Sequence, residues 1–351
     1  MHAQGQFFAT LLDSSAGALA SRAISALSET QDDLVQRWGF RALVSDARGR
    51  LDLLAEALAA GRPEIFAKEV LWLATSYGAR DVPVDLLRET LRALRGELGE
   101  SLPPEGAAMA TSFLDQALDG LERAPEPPAS RLAEGPRSEV TRRVLLHLLQ
   151  GERAKALATL EAELDAGAQV VDLHEQVLMP IQVEVGRLWQ MGEVGIAEEH
   201  LASRIVEDAL MLLRTYLPKN EEPATHSVLV AGVRGNFHEI GARMVADRFE
   251  ATGWRALLLG ADTPAEALVE GVSHFAPDVV ALSAGLGWHV RATAELVNAM
   301  HEAHPKVPVL VGGRVYAEIP DLWRDVGAHG SAVDAGGAVS EAQRLLEERA
   351  S

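Results

Sequence analysis

The sequence predicts a mixed chain in which an all-α part precedes an α/β part built on a doubly wound parallel sheet. Two observations predict it. Apolar residues recur at helical spacing up to about Leu217, and beyond Ser227 short continuous Val/Leu/Ala runs alternate with amphipathic stretches. Proline-rich breaks separate the regions.

Residues 1–123 read as an all-helical domain: Leu51, Leu54, Ala55 and Leu58 repeat at i, i+3, i+4 and i+7. Asp81-Val-Pro-Val ahead of Asp85 marks a helix start, and Trp38, Phe40, Phe66, Trp72 and Tyr77 are expected to form the aromatic part of the core. Residues 124–136, opening Ala124-Pro-Glu-Pro-Pro and closing on Gly135-Pro136, read as a linker, because prolines remove backbone donors and forbid a continuous helix. Residues 137–218 carry two stripes, one running from Val170 through His174, Val177, Leu178, Ile181 and Val185 to Leu188, the other from Leu201 through Ile205, Ala209, Leu212 and Leu213 to Tyr216. Their spacing predicts a four-helix bundle, with a kink near Pro180. A second break, Pro218 to Pro223, precedes the sheet region, 227–351.

Its strands are expected at Val228 to Val233, Ala256 to Leu259, Val279 to Leu282 and Val307 to Val311, with a weaker fifth near Ala332. Runs without alternation suit strands covered on both faces, so the sheet is expected to be parallel, in flavodoxin-like order. Ligands of such sheets sit beyond the carboxyl ends of the strands, where the strand order reverses.

Composition narrows the function. The chain has 351 residues and 51 acidic against 32 basic groups, a formal charge of -19, which repels phosphate backbones and argues against direct nucleic-acid or anionic-membrane binding. No run approaches the ~18 apolar residues that a membrane span needs, and no basic leader is visible, so a cytoplasmic location is expected. Cysteine is absent, which removes disulfides, thiolate metal sites and thioether-linked chromophores.

The loop after the first strand reads Gly235-Asn236-Phe237-His238-Glu239-Ile240-Gly241, which puts His238 at the switch point. It lacks the GxGxxG spacing of a dinucleotide site, and no acidic cluster follows the strand as a phosphoryl-accepting receiver domain would need. The other strand ends are small: Ser283-Ala-Gly285-Leu-Gly287 after the third and Gly312-Gly313 after the fourth. Missing side chains around one sheet edge suggest a slot for a long ligand tail.

Asn236-x-His238-x-x-Gly241, with Gly253-Trp254, Leu259-Gly-Ala-Asp-x-Pro264, Leu282-Ser283 and Gly312-Gly313, resembles the cobalamin-binding domain shared by methionine synthase and the CarH-type photoreceptors. The bundle resembles the helical cap of that family, and together the two span about 137–351. The resemblance implies His238 as the lower axial ligand of cobalt, with Asn236, Phe237, Gly241, Ser283, Gly285, Gly312 and Gly313 around the cofactor. Asn236 stands where the family usually has aspartate, and a neutral amide orients an imidazole without pushing electron density as a carboxylate does. In the cap, Trp189 followed ten positions later by Glu199-His200 resembles the light-sensor signature, in which these side chains cover the upper face and shelter a 5'-deoxyadenosyl group. Sensors matching it best have histidine directly after the tryptophan, where this chain has Gln190, so a two-histidine light state either uses His200 or another side chain or does not form. His289 is left open between facing the cofactor and facing a neighbouring domain; His147, His226, His274, His301, His304 and His329 are expected at the surface or in packing.

Residues 1–123 show no basic recognition helix, and the domain order resembles the photocobilins, sensors that hold a bilin beside cobalamin. Trp72, Tyr77 and Arg80 are the candidates for a non-covalent biliverdin site, and a dimerisation or docking role is the alternative for this domain. The expectation is a homo-oligomeric adenosylcobalamin light sensor, not an enzyme, with an unidentified downstream signalling protein. The rival readings are a corrinoid carrier of a methyltransferase system and a non-photochemical cobalamin sensor.

Overall fold

The computed structural model describes residues 3–123, 127–218 and 223–350, so the linker positions 124–126 and 219–222 lie outside the described residues. The chain forms two compact units. The first holds residues 1–127 together with 286–294 and 318–327, and the second holds 128–285, 295–317 and 328–351.

Six helices make most of the first unit: α1 (Ala3–Thr30), α2 (Asp32–Trp38), α3 (Phe40–Ala60), α4 (Pro63–Gly78), α5 (Val84–Ser101) and α6 (Pro104–Glu122). Helix α3 is central, and from Leu53 to Ala60 every side chain is buried. Eight consecutive buried positions cover the whole circumference of a helix, so α3 must be enclosed by α1, α4, α5 and α6 rather than carry one wet face. The core is mainly leucine and alanine. Of the five rings expected there only Phe66 is fully enclosed; Phe40 is exposed and Trp38, Trp72 and Tyr77 are half-buried, while Phe8 and Phe113 are the other buried rings. Aromatic size alone misled, because α3 brings enough small and aliphatic residues to close the interior. The segment 286–294 folds with these helices: a β-carbon at Gly287 would stand 2.9 Å from Ile65 Cγ2, so only glycine permits that approach without displacement. Arg291 donates through its backbone N–H (2.9 Å) and Nε (2.7 Å) to Glu56 and through Nη1 (2.5 Å) to Asp13, and Arg62 pairs with Asp325 at 2.6 Å.

The second unit opens with a four-helix bundle: α7 (Ser138–Leu149), α8 (Arg153–Asp165), a composite third helix and α11 (Ile196–Arg214). The third is α9 (Val170–Leu173), a π-helical turn (His174–Leu178) and α10 (Met179–Gln190). The expected proline kink is thus a widened turn just ahead of Pro180. Pro180 has no N–H for the carbonyl of Gln176, and that carbonyl accepts instead from the buried Thr141 hydroxyl at 3.1 Å. Val170, Val177, Leu178, Ile181 and Val185 are buried as the stripe required, and each contributes roughly 1.5–3 kcal/mol relative to exposure. Of the other stripe Ile205, Ala209 and Leu213 are buried, whereas its ends, Leu201 and Tyr216, are exposed.

A five-stranded parallel sheet follows in order β2-β1-β3-β4-β5, with β1 Ser227–Val233, β2 Arg255–Thr263, β3 Val279–Ser283, β4 Val309–Gly312 and β5 Gly330–Ala332. The helices along this stretch of chain are α12 (Ile240–Ala251), α13 (Ala265–Phe275), α14 (Val290–Ala303), α15 (Arg314–Glu318), α16 (Leu322–Asp325) and α17 (Ala335–Ala350), of which α16 and the first residues of α14 belong to the first unit. The central strands are the Val/Leu/Ala runs and are buried on both faces. Two strands depart from the expected bounds. β4 begins at Val309 because Pro308 offers only its carbonyl, which accepts from Val280 N–H at 3.0 Å. β2 runs past Leu259 to Thr263 because its pairing with β1 tolerates register irregularities at Val230/Ala231 and Ala231/Val233. No helix among the described residues is long and apolar enough to cross a membrane.

Candidate functional site

The sheet order reverses at β1, whose neighbours are β2 and β3, and the loop leaving β1 carries Asn236 and His238. Asn236 is wholly buried, its Nδ2 donating to the Ser283 carbonyl at 2.9 Å. A carbonyl can only accept, which fixes the amide orientation and leaves Oδ1 facing His238. Oδ1 accepts from the His238 backbone N–H at 3.2 Å and stands 3.3 Å from its Nδ1. Since Oδ1 cannot donate, this contact places the imidazole proton on Nδ1 and the free lone pair on Nε2. His238 is exposed and so is Phe237, at 72%. A β-carbon at Gly285 would stand 3.6 Å from both Asn236 Oδ1 and His238 Nδ1.

Beside this loop lies a cavity of about 400 Å³, in the range of small-molecule sites. Gly241 from the first turn of α12, Ser283 from β3, and Gly312 and Gly313 from the end of β4 all line it, with Glu175 and Met179 reaching it from the bundle. The structure therefore brings four of the residues read from sequence onto one cavity wall. Gly313 has φ +101°, and a β-carbon there would meet the Ala284 carbonyl oxygen at 2.3 Å. At Gly241 a β-carbon would meet nothing within 4 Å: helix geometry does not demand glycine, and the space it leaves belongs to the cavity.

Trp189 is half-buried in the last turn of α10, and Glu199 and His200 occupy the first turn of α11. Glu199 accepts from Ser203 Oγ at 2.8 Å and from His200 Nδ1 at 2.7 Å, which leaves His200 Nε2 outward on an exposed ring. None of these three lines the cavity, and Gln190 is buried. His289 is also buried: its Nδ1 accepts from Leu286 N–H at 3.2 Å and closes the Gly287–His289 turn in the first unit. Its fixed role is in that turn.

In the first unit the Tyr77 hydroxyl lies 3.2 Å from Arg50 Nη2 and 3.3 Å from Asp46, while Arg80 donates to the Ser76 carbonyl and hydroxyl at 3.2 and 2.6 Å. Burial raises the Tyr77 phenol above its ordinary value, with Asp46 adding to the effect. Trp72 is half-buried on the same helix.

Three buried titratable groups were not singled out from sequence. Burial pushes the Glu56 carboxyl up to about 7, against the pull of Arg291. Asp247 on α12 is fully buried, raised to about 6 by burial and paired with Arg214 of α11. Its Oδ2 has no hydrogen-bond partner. His174 is buried with both ring nitrogens unpartnered, and burial lowers it to about 4. The available signal for Glu56 was its isolation in the apolar run Leu53 to Ala60. His174 was visible as a member of a buried stripe, but nothing in spacing reveals a missing partner. Among the described residues no group of three or more His, Asp or Glu side chains is placed to hold a metal ion.

A helical bundle followed by a parallel sheet with an oriented imidazole and a small-residue cavity at its switch point defines a cobalamin-binding class of protein, and comparison with known proteins agrees. Residues 226–342 match the B12 binding domain family, and residues 140–214 match a second family of the same description. The chain is 30% identical over 235 residues to the HTH-type transcriptional repressor CarA of Myxococcus xanthus, covering 64% of this chain and 72% of that protein. It is 29% identical over 215 residues to the repressor CarH of the same organism, covering 60% and 71%. The dimethylamine corrinoid protein 1 of Methanosarcina mazei is 26% identical, covering 54% of this chain and 93% of that protein. The monomethylamine corrinoid protein of Methanosarcina barkeri shares the fold, with TM-score 0.53 and 22% identity over 60% of this chain and all of that one. The chain belongs to the cobalamin-binding family that contains these B12 binding domains.

Proposed function

We propose that the protein is an adenosylcobalamin-dependent light sensor in which His238 Nε2 is the lower axial ligand of cobalt. The observation that carries this reading is the Ser283–Asn236–His238 chain of hydrogen bonds, which orients the imidazole through Nδ1 and leaves Nε2 available, in a loop that leads into the cavity lined by Gly241, Gly312 and Gly313. Neutral imidazole is the form a metal accepts, and the partner of its other nitrogen fixes the tautomer and tunes its basicity. Gly241 leaves open space on the cavity wall, while Gly312 and Gly313 let the backbone approach Ala332 and Ala284 closely, and this small-residue wall suits the nucleotide tail of a corrinoid.

Adenosylcobalamin supplies a cobalt–carbon bond that visible light cleaves. Around it Phe237 offers an exposed ring beside His238, and Trp189, Glu199 and His200 are the cap residues that would cover the upper face. The Glu199 carboxylate holds His200 Nδ1, so His200 presents Nε2 as the candidate ligand after photolysis. Asn236 supports a sensor over a methyl carrier, since a neutral amide leaves the imidazole, and hence cobalt, less electron-rich. Signal output is through a change in oligomeric state or partner contact, and any bilin at Trp72, Tyr77 and Arg80 would have to compete with the Tyr77 and Arg80 hydrogen bonds.

The full-length protein, loaded with adenosylcobalamin in the dark, should change its visible spectrum after green light and change its gel-filtration volume with it. His238→Ala should lose the histidine-ligated spectrum. Dark and lit spectra that coincide, or a variant with wild-type uptake and spectrum, would overturn the proposal. Expression with both cobalamin and biliverdin identifies any second chromophore by what copurifies.

The corrinoid-carrier reading keeps specific support in the likeness to the dimethylamine corrinoid protein, 93% of which this chain covers. It predicts bound methylcobalamin that turns over with a methyl donor in darkness.

A further inference from the structure

Asp262 lies near the end of β2, within the second register irregularity of its pairing with β1, between the pairs Ala231–Gly260 and Val233–Thr263. It is not glycine, yet its backbone is left-handed, with φ +50°. Such a conformation persists where surrounding interactions over-determine it. Here the interactions point at one loop. Asp262 Oδ1 accepts from the Gly235 backbone N–H at 2.7 Å, and the Asp262 N–H donates to the Asn236 carbonyl at 3.1 Å. Gly235 is itself left-handed, at φ +79°, and the Asn236 N–H closes the turn onto the Val233 carbonyl at 2.9 Å.

The loop that carries His238 is therefore tied from two sides. On the β3 side the Asn236 side chain is held by the Ser283 carbonyl. On the β2 side the main chain of Gly235 and Asn236 is held by Asp262. Both ties converge on Asn236, whose Oδ1 sets the His238 ring. Neither tie was read from the sequence, which paired Asn236 with His238 alone, because one ends on a β3 carbonyl and the other on main-chain groups of the loop.

We propose that Asp262 is a positioning residue for the cobalt ligand: its reciprocal hydrogen bonds to Gly235 and Asn236 hold the β1 loop in the one shape that presents His238 Nε2. This rests on the reading of His238 as the lower ligand, and two variants separate the parts of the argument. Asp262→Gly keeps the left-handed backbone and its N–H but removes the carboxylate. Asp262→Asn tolerates the same backbone and retains an oxygen that accepts from Gly235.

The experiment uses the full-length protein. In the cofactor-free state, amide hydrogen exchange should show the Gly235 N–H losing protection in Asp262→Gly and keeping it in Asp262→Asn. On titration with adenosylcobalamin in the dark, Asp262→Gly should bind on the order of 10-fold more weakly, the lower end of what loss of a supporting partner costs a metal site. After reduction to cob(II)alamin, the fraction of cobalt showing nitrogen hyperfine splitting from imidazole should fall in Asp262→Gly and stay at the wild-type level in Asp262→Asn. Wild-type affinity and hyperfine fraction in Asp262→Gly would overturn the inference, as would Asp262→Asn losing both as fully as the glycine variant. His238→Ala measured in parallel tests the underlying reading: if it binds with a wild-type spectrum, the ligand assignment fails; if it loses the hyperfine signal while Asp262→Gly does not, only the positioning role fails.

Discussion

Gly313→Ala tests how tightly the sheet end and the candidate site are built as one object. The position has φ +101°, where an L-side chain costs roughly 1–2 kcal/mol. The added methyl would also stand 2.3 Å from the Ala284 carbonyl oxygen and 2.9 Å from its carbon, backbone atoms that cannot rotate aside. Overpacking of this kind costs roughly 1–3 kcal/mol, so the expected loss is about 3 kcal/mol. At roughly 2–4 °C per kcal/mol for a body of this size, the melting temperature should fall by roughly 6–12 °C. The relief has a direction: Ala284 must move, and Ser283, next to it, holds the Asn236 amide that sets His238. Thermal melts followed by circular dichroism, together with dark titration by adenosylcobalamin, should show both the destabilisation and weaker uptake. A variant melting within about 2 °C of the parent and binding normally would refute the argument that β3, β4 and the histidine loop are mechanically linked.

Three further outcomes are expected. Gly241→Ala should stabilise the cofactor-free protein by about 0.5–1 kcal/mol, since alanine is the better helix former and nothing opposes its methyl, yet weaken cobalamin uptake because that methyl enters the cavity; urea unfolding and titration measure the two separately. His174 folds neutral, lowered to about 4 from an ordinary 6.5, so its contribution is present above pH 6.5 and lost as pH falls toward 4, up to about 3 kcal/mol. His174→Leu should abolish that acid slope in urea titrations and add about 1–2 kcal/mol at neutral pH by removing two unpartnered nitrogens; an unchanged slope would contradict it. Glu56 is raised from 4.5 to about 7, so the first unit should be most stable below pH 4.5 with respect to this group and lose that contribution as pH rises through 7; Glu56→Gln should flatten melting temperature against pH over this window.

The sheet was legible because its strands are covered on both faces and so must be apolar throughout, a pattern that survives without knowledge of neighbours. Val228 to Val233 and Val279 to Leu282 differ from the observed strands by a single residue at one end. What failed depended on partners distant in sequence. The extension of β2 through Gly260 to Thr263 follows from its pairing with β1, and the Gln176 carbonyl that Pro180 leaves without a donor finds the Thr141 hydroxyl some 35 positions away. Asn236 and His238 could be read as a pair since they lie two apart in one loop; Asp262 could be read as a motif residue but not as a loop brace. The aromatic core of the first unit was over-read, because ring size says nothing of which helix ends up enclosed.

Gly287 and Arg291 give the chain a weave. The helical unit is sewn from three separate stretches, with 286–294 and 318–327 returning to it long after 1–127 has been made. Protease nicking near 128–136 would cut the thread once and still leave the Glu56–Arg291 and Arg62–Asp325 stitches in place, so the two fragments should co-elute until denaturant is added. During synthesis the early helices must wait for Arg291 to emerge before Glu56 meets its cation, and a transplanted 1–123 alone would arrive with that acid unmatched.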